Sequence, residues 1–254
     1  VLAIFKNESH ILNEWIEHYL NEGAAEFVLV DNESDDDWKS KIKPEYLKAD
    51  NIKFFSHPGK VQQRPVYNRY YKHATQKWLL VCDLDEFLYS RKGYKTVADY
   101  LDTVTSISIS GVVVPWSLYG HNNLKQQPDG VVNNFIRRKK FEGNVCCKTL
   151  ILREKIRTLY IHTHLPTDGL AVDPLLNRHP GGPHRNISDE YMESLPLHMN
   201  HYVVQSEEWY WNVKVKRGRA DADAEIHQRD QAFFDGHGDG DVVDEELKNK
   251  TYHE

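Results

Sequence analysis

The feature that most constrains this chain is an apolar run ending on a knot of acids. Trp78-Leu-Leu-Val-Cys82 leads directly into Asp83-Leu-Asp-Glu86. A short apolar run of this kind reads as a buried strand. Aiming such a strand at carboxylates needs a reason. Neighbouring acids taken out of water repel, and one takes up a proton unless a cation relieves it. The same arrangement recurs upstream. Val1–Phe5 reads as a strand followed by Lys6-Asn-Glu-Ser9, and Glu26–Val30 as a strand followed by Asp31-Asn-Glu-Ser-Asp35. Ile52–Phe55 reads as a third, followed by Ser56-His-Pro-Gly59.

Helical patterns fill the gaps. Ile11–Asn21 carries Ile11, Leu12, Trp15, Ile16, Tyr19 and Leu20 at helical spacing and stops at Gly23, and Gln62–Thr75 shows a helical face. The alternation predicts an α/β fold whose parallel sheet has right-handed crossovers and a ligand crevice at the strands' carboxyl ends. The polar loops would converge there. Beyond residue 90 the pattern turns β-rich. Ile107–Val114, Gly130–Ile136, Cys146–Leu152, Thr158–His162 and Leu197–Val204 read as strands, and Ser206–Arg219 as a helix. Asp173–Asp189 reads as an irregular loop, and a charged segment follows Asp221. The expected organisation is one domain over 1–254, with a βα half (1–90), a β-rich half (91–220) and a charged segment (221–254).

Composition removes several classes. A formal net charge of −6 gives no basic footprint for nucleic acid. No apolar run approaches the length of a membrane span. Cys82, Cys146 and Cys147 form neither a disulfide framework nor a C-x-x-C pair. Of the N-x-S/T sites at Asn7, Asn32, Asn186 and Asn249, the first two fall in the convergent loops, where a glycan would block a ligand.

In an extended strand, alternation places Asp83 and Asp85 on one face, with Cβ atoms about 6.5–7 Å apart. Two such carboxylates can close on a hard divalent cation, which keeps open positions for phosphate oxygens. A solvated acidic turn is the simpler reading. The strand context and the companion loops weigh against it.

Taken in order, these stretches resemble the GT-A glycosyltransferases, in particular the group near glycosyltransferase family 92 and related family 2-like enzymes. The resemblance is carried by Lys6-Asn-Glu8, Glu14-Trp-Ile-Glu-His-Tyr19, Phe27-Val-Leu-Val-Asp-Asn32 with Ser34 and Asp35, and Gln63 with Tyr67-Asn68. It continues through Asp83-Leu-Asp-Glu-Phe87, His201-Tyr202 with Ser206, and Lys216-Arg-Gly218. It implies a GT-A (nucleotide-diphospho-sugar transferase) fold, with a mainly parallel central sheet flanked by helices. It also implies a hexosyl- or pentosyltransferase, inverting, that moves a sugar from a UDP- or GDP-linked donor to a hydroxyl of a glycan or glycoconjugate.

On that resemblance Asp83, Asp85 and His201 would hold Mn2+ or Mg2+, with Asp85 the direct ligand and His198 the rival of His201. Lys6, Asn7, Glu8, Asp31, Asn32, Asp35, Arg64, Asn68 and Asp83 would bind the donor, and Lys216 and Arg217 would neutralise the departing diphosphate. Inversion needs a general base. Asp168, Asp173 and His164 are candidates, and no spacing rule chooses among them. Trp116 and Tyr119 would stack on the acceptor, while Trp15 and Trp78 read as core. Family relatives include Golgi-anchored and soluble forms, so the compartment stays open between cytoplasm and, if an anchor precedes Val1, Golgi lumen. Two rivals stand beside this reading. One is a non-catalytic sugar-nucleotide or glycan-binding module of the same fold. The other is a Mg-dependent phosphatase, which places D-x-D at the start of its domain and continues with Gly-Thr, where this chain has Glu86-Phe87.

Overall fold

Strand β1 (Leu2–Phe5) is buried at every position and sits in the middle of the β layer. In the computed structural model, which describes residues 1–222, 229–238 and 240–252, it pairs in parallel with β2 (Phe27–Asp31). β2 pairs in parallel with β3 (Ile52–Ser56). A strand covered on both faces needs apolar residues throughout, and Phe27-Val-Leu-Val30 supplies them. On the other side of β1, Val81 bridges Leu2 in parallel, and the Cys82 N–H donates to the Leu2 carbonyl at 3.2 Å.

That bridge joins the parallel strands to a mixed sheet. β4 (Trp78–Leu80) pairs antiparallel with β7 (Cys147–Leu152), and β7 antiparallel with β6 (Ile109–Leu118). β6 runs parallel to β9 (Leu197–His201), which is antiparallel to β5 (Glu86–Ser90). β8 (Leu170–Val172) lies parallel beside the start of β6. The carboxyl ends of β1 and β2 and the β4–β5 connection therefore open onto one edge.

Helix α1 (Ser9–Asn21) does more than cover the sheet. Its stripe of Ile11, Leu12, Trp15, Ile16 and Tyr19 is buried. Its polar tips then hold the acid-bearing connection. Trp15 Nε1 donates to the carbonyls of Asp83 and Glu86 at 3.1 and 3.2 Å, and Tyr19 OH to the Glu86 carbonyl at 3.0 Å. His18 Nε2 meets the Leu88 carbonyl at 2.8 Å. The Trp-x-x-His-Tyr run is thus a splint under Asp83–Glu86.

Several expected elements differ. Asp83–Glu86 is a turn, closed by Glu86 N–H on the Asp83 carbonyl at 3.2 Å, so the two aspartates do not alternate along an extended strand. Gly130–Ile136 is not a strand. Glu14 takes the N–H groups of Val131 and Val132 at 2.7 and 3.1 Å and bends the chain there. Gly130 sits at φ +77, which disfavours any side chain, and a Cβ there would press on the Glu14 carboxylate at 3.2 Å. The strand expected at Thr158–His162 is Ile156–Thr158, because Asn68 bonds both the N–H and the carbonyl of Leu159 and pins the bend that follows. The expected helix Ser206–Arg219 opens with Glu207–Trp209 and widens into a π turn over Tyr210–Val215. The loop Asp173–Asp189 contains a short strand, His184–Ile187. Within the charged segment, Gln231–Gly236 is helical and Val242–Val243 pairs with Arg137–Arg138. The remainder of that segment at 223–228, 239 and 253–254 lies outside the described residues. All three cysteines are free, and among the described residues no helix is long and apolar enough to cross a membrane.

Candidate functional site

The edge where β1, β2 and the Asp83–Glu86 turn meet opens into a cleft of about 400 Å³. Lys6, Glu8 and Asn32 line it from the first loops, and Gln63, Asp83 and Asp85 line its floor. Trp116, Cys146, His162 and His201 form one wall, and Lys214, Arg217, Arg219 and Arg229 another.

Two lysines from distant parts of the chain answer the three acids. Lys148, wholly buried on β7, places Nζ 3.0 Å from Asp83 Oδ2 and 3.3 Å from Glu86 Oε2. Burial opposes the Lys148 charge, but Asp83 and Glu86 outweigh it and raise its pKa. Burial pushes Glu86 well above the usual carboxylate range, against the pull of Lys148. Asp83 has no free oxygen. Oδ1 accepts from Gln63 Nε2 at 2.6 Å and Tyr67 OH at 3.1 Å, and Oδ2 from Lys148. Asp85 is different. Its Oδ2 meets Lys214 Nζ at 2.8 Å and its Oδ1 faces His201 Nε2 at 3.5 Å. Burial would raise the Asp85 carboxyl, yet Lys214 and then His201 hold it well below the usual range. Removing either partner of such a buried pair costs about 3–5 kcal/mol, because it leaves a charge unanswered.

The first loops are stitched by their own polar side chains. Asn7, at φ 55, takes the Asp35 N–H on Oδ1 at 2.8 Å and gives its own N–H to Ser34 Oγ at 3.0 Å. Asp31 Oδ1 takes the Ser34 N–H at 2.9 Å. Asn32 Nδ2 donates to the His57 and Gly59 carbonyls at 2.7 and 3.0 Å. Asn7, Asp31 and Asp35 therefore shape the cleft from behind, while Lys6, Glu8 and Asn32 face it. Glu8 pairs with Arg217 at 2.8 Å, and Arg217 also donates to the Lys6 carbonyl at 2.7 Å. Burial, with Arg217 and Arg219 close by, lowers the Arg229 guanidinium to about 10. That wall is short of negative charge.

Other expected site residues stand elsewhere. Arg64 lies against the Tyr160 ring at 4.3 Å, in a neighbouring groove. Asn68 is spent on Leu159. Lys216 is exposed and bonded to Asn212 at 3.2 Å. Trp116 stands in the wall between His201 (4.2 Å between rings) and His162 (5.2 Å). Tyr119 is buried against Tyr202 and does not reach the cleft. Asp168 is at the surface, paired with Lys155 at 2.9 Å. Asp173 is buried where it takes the N–H groups of Leu175 and Asn177 and the Tyr191 hydroxyl. Burial, with Lys148 nearby, lowers His164 to about 3, far from the near-neutral value that suits a general base. His198, the rival of His201, is buried against the Met192 carbonyl and Arg91.

Lys148 and Lys214 are the main residues that sequence reasoning missed. Lys214 becomes visible only with the π turn. A lysine five residues after Trp209 shares its face only in an i→i+5 turn, and such turns cluster at functional sites. Cys146 was also missed as a cleft residue. The Cys147 hydrogen bond and then His162 draw its thiol down to about 4.

For a divalent ion, Asp85 and His201 are a compatible donor pair of carboxylate oxygen and imidazole nitrogen. Asp83 would join them only by giving up a partner on one of its two oxygens. Among the described residues no third acid, histidine or cysteine joins them to make a complete ligand set.

The family model described as glycosyl transferase family 2 matches residues 1–159. Among solved structures, the chain is similar to the mannosyltransferase PcManGT from Pyrobaculum calidifontis in complex with GDP-Man and Mn2+. That match has 16% identity and a TM-score of 0.34, covering 49% of this chain and 34% of that one. It is also similar to S. aureus TarS 1-349, at 15% identity and a TM-score of 0.39, covering 60% of this chain and 46% of that one. The chain thus spans less than half the length of either. No curated protein matches it.

Proposed function

This chain belongs to glycosyl transferase family 2 and has the GT-A fold, and from that premise we propose that it is a metal-dependent, inverting glycosyltransferase. It would move a sugar from a nucleotide-diphosphate donor to a hydroxyl of a glycan or glycoconjugate. The observation that carries this reading is Asp85, buried at the cleft floor between His201 and Lys214 and facing a wall of arginines. Asp85 and His201 are the residues that would hold a divalent ion. Once bound, such an ion offers Lewis-acid neutralisation of the donor's diphosphate.

The chain's own groups do the rest. Arg217, fixed by Glu8 and the Lys6 carbonyl, presents charge where a leaving diphosphate develops it. Gln63, Tyr67 and Lys148 hold Asp83 in place. Trp116 offers a half-buried face for a sugar ring. On that wall His162, edge-on to Trp116, would take the acceptor's proton.

A second reading is favoured by one observation. The cleft's carboxylates Glu8, Asp83, Asp85 and Asp221 are each paired to a cation, so none stands free as a base. A module that binds sugar nucleotides without turnover would look the same.

A panel of UDP-, GDP-, CMP- and dTDP-sugars, with and without Mn2+, on wild type and Asp85→Ala separates the readings. A ligand at a hundred times its Kd adds about 2.7 kcal/mol to stability. A Mn2+-dependent rise in Tm for one nucleotide, lost in Asp85→Ala, is expected, with release of the nucleoside diphosphate marking the enzyme. Binding without release marks the module. No shift with any nucleotide sinks both.

A further inference from the structure

Lys214 is 3% exposed, yet it lines the cleft. The π turn over Tyr210–Val215 carries it over the Trp209 ring at 5.3 Å and delivers Nζ to Asp85 Oδ2 at 2.8 Å. The carboxylate that would hold a divalent ion therefore already holds an ammonium. Both cations on one buried carboxylate would repel strongly, since little water screens them. A bound ion would push Lys214 off Asp85.

The displaced ammonium needs another anion, because an unpaired buried charge is costly. The neighbouring carboxylates are occupied. Arg217 holds Glu8, Arg219 holds Asp221 and Lys148 holds Asp83. Two nearby guanidiniums cannot make the same move. Arg217 is anchored on the Lys6 carbonyl at 2.7 Å, and Arg229 on the Lys214 and Gly218 carbonyls at 2.7 Å each. These bonds hold the backbone at Lys214 and just after it, and leave its flexible four-carbon stem as the movable cation. An anion that enters with the ligand can receive it.

We propose that Lys214 is a transferable counter-ion: it sits on Asp85 in the free protein and moves to the donor's diphosphate when the divalent ion takes Asp85. The inference rests on the glycosyltransferase reading above and names the residue that couples its two ligands. The metal alone then binds weakly, because it must strand Lys214. The metal and the nucleoside diphosphate favour each other by the same factor in both directions.

The test is calorimetric titration of the full chain with Mn2+ alone, with UDP, GDP or dTDP alone, and with each at saturation of the other. In wild type the nucleoside diphosphate should tighten Mn2+ by about tenfold or more. Bridging by the ion gives some coupling in any such site, so the deciding result is Lys214→Met. It should bind Mn2+ alone about tenfold tighter than wild type, bind the nucleotide more weakly, and lose most of the coupling. A residue with only a structural role would not tighten metal binding when removed. Lys214→Gln is the second variant if Lys214→Met melts early. In the wild-type chain, the 13Cε signal of Lys214 should move with Mg2+ and nucleotide together. Unchanged Mn2+ affinity in the folded variants, or a Lys214 signal unmoved by the saturated pair, overturns the proposal and leaves the donor reading standing. Failure of wild type to bind any nucleotide under any metal condition overturns both.

Discussion

The acids of the two halves are treated differently by the fold. In the first half Asp83, Asp85 and Glu86 crowd one turn, and their counter-charges come from 65 and 129 residues away, from Lys148 and Lys214. In the second half Asp173 is satisfied by backbone N–H groups two and four residues on, and the exposed Asp168 by Lys155. Local satisfaction is what a structural acid looks like. A buried cluster that needs long-range cations costs desolvation energy that an apolar cluster would not. Such a cost persists where the charges serve a ligand. On the function proposed above, the working carboxylates belong to the first half.

The largest expected effect comes from Asp85→Ala. It should lower nucleotide-sugar turnover by at least about 10²–10³-fold. It should also lower unfolding free energy by about 3–5 kcal/mol, because Lys214 is left buried without its anion. Adding Lys214→Met should restore much of the stability and none of the turnover. Restored turnover in the double variant would break the contrast.

Next is Lys148→Met. Asp83 would keep Gln63 and Tyr67 but lose its cation, and a loss of about 3–5 kcal/mol in urea unfolding is expected. A loss under about 1 kcal/mol would mean that Asp83 is answered by solvent and that the cluster is no different from Asp168.

A smaller effect tests the splint. Burial lowers His18 from 6.5 to about 3 in the folded chain, against its bond to the Leu88 carbonyl. The unfolded chain therefore binds the proton first. The stability from neutral His18 is complete above its unfolded pKa and falls away as pH drops below it. At pH 5 the loss from this group is about 2 kcal/mol. Melting at pH 7.5 and pH 5 should show a smaller drop in His18→Gln than in wild type. An equal drop would mean that His18 is not held neutral beneath the acid turn.

Much of the first half was legible because its signals are local. The apolar runs of β1 and β2 and the stripe of α1 are each set within a few residues, and the polar loops mark the strand ends. Asp85, His201, Glu8 and Asn32 lie in the cleft that this pattern implies. The missed lysines depend on what the sequence does not display. Lys148 sits inside an apolar strand, where alternation says nothing of which buried acid it meets. Lys214 needs the π turn; with ordinary helical spacing it leaves the Trp209 face, and Lys216, beside Arg217 and Gly218, draws attention instead. In the second half Asp173 ends a strand as the first-half acids do, yet Leu175 and Asn177 fold back onto it.

The smallest expected effect is the sharpest test of the second half. Asp168 is 71% exposed, and its partner Lys155 also bonds the Ile107 carbonyl at 2.6 Å, so the pair trims a surface turn. With Asp168 in solvent, the pair contributes less than about 1 kcal/mol. Asp168→Asn should leave the unfolding midpoint nearly unchanged and should not alter the pH profile of kcat. His162→Gln, by contrast, should lower kcat while donor affinity holds, because it removes the titratable group beside Trp116 without touching Asp85. If Asp168→Asn lowers kcat a hundredfold with KM for the donor unchanged, the loop carrying it reaches the acceptor during turnover. The second half would then hold a working acid after all, one whose resting partner is Lys155.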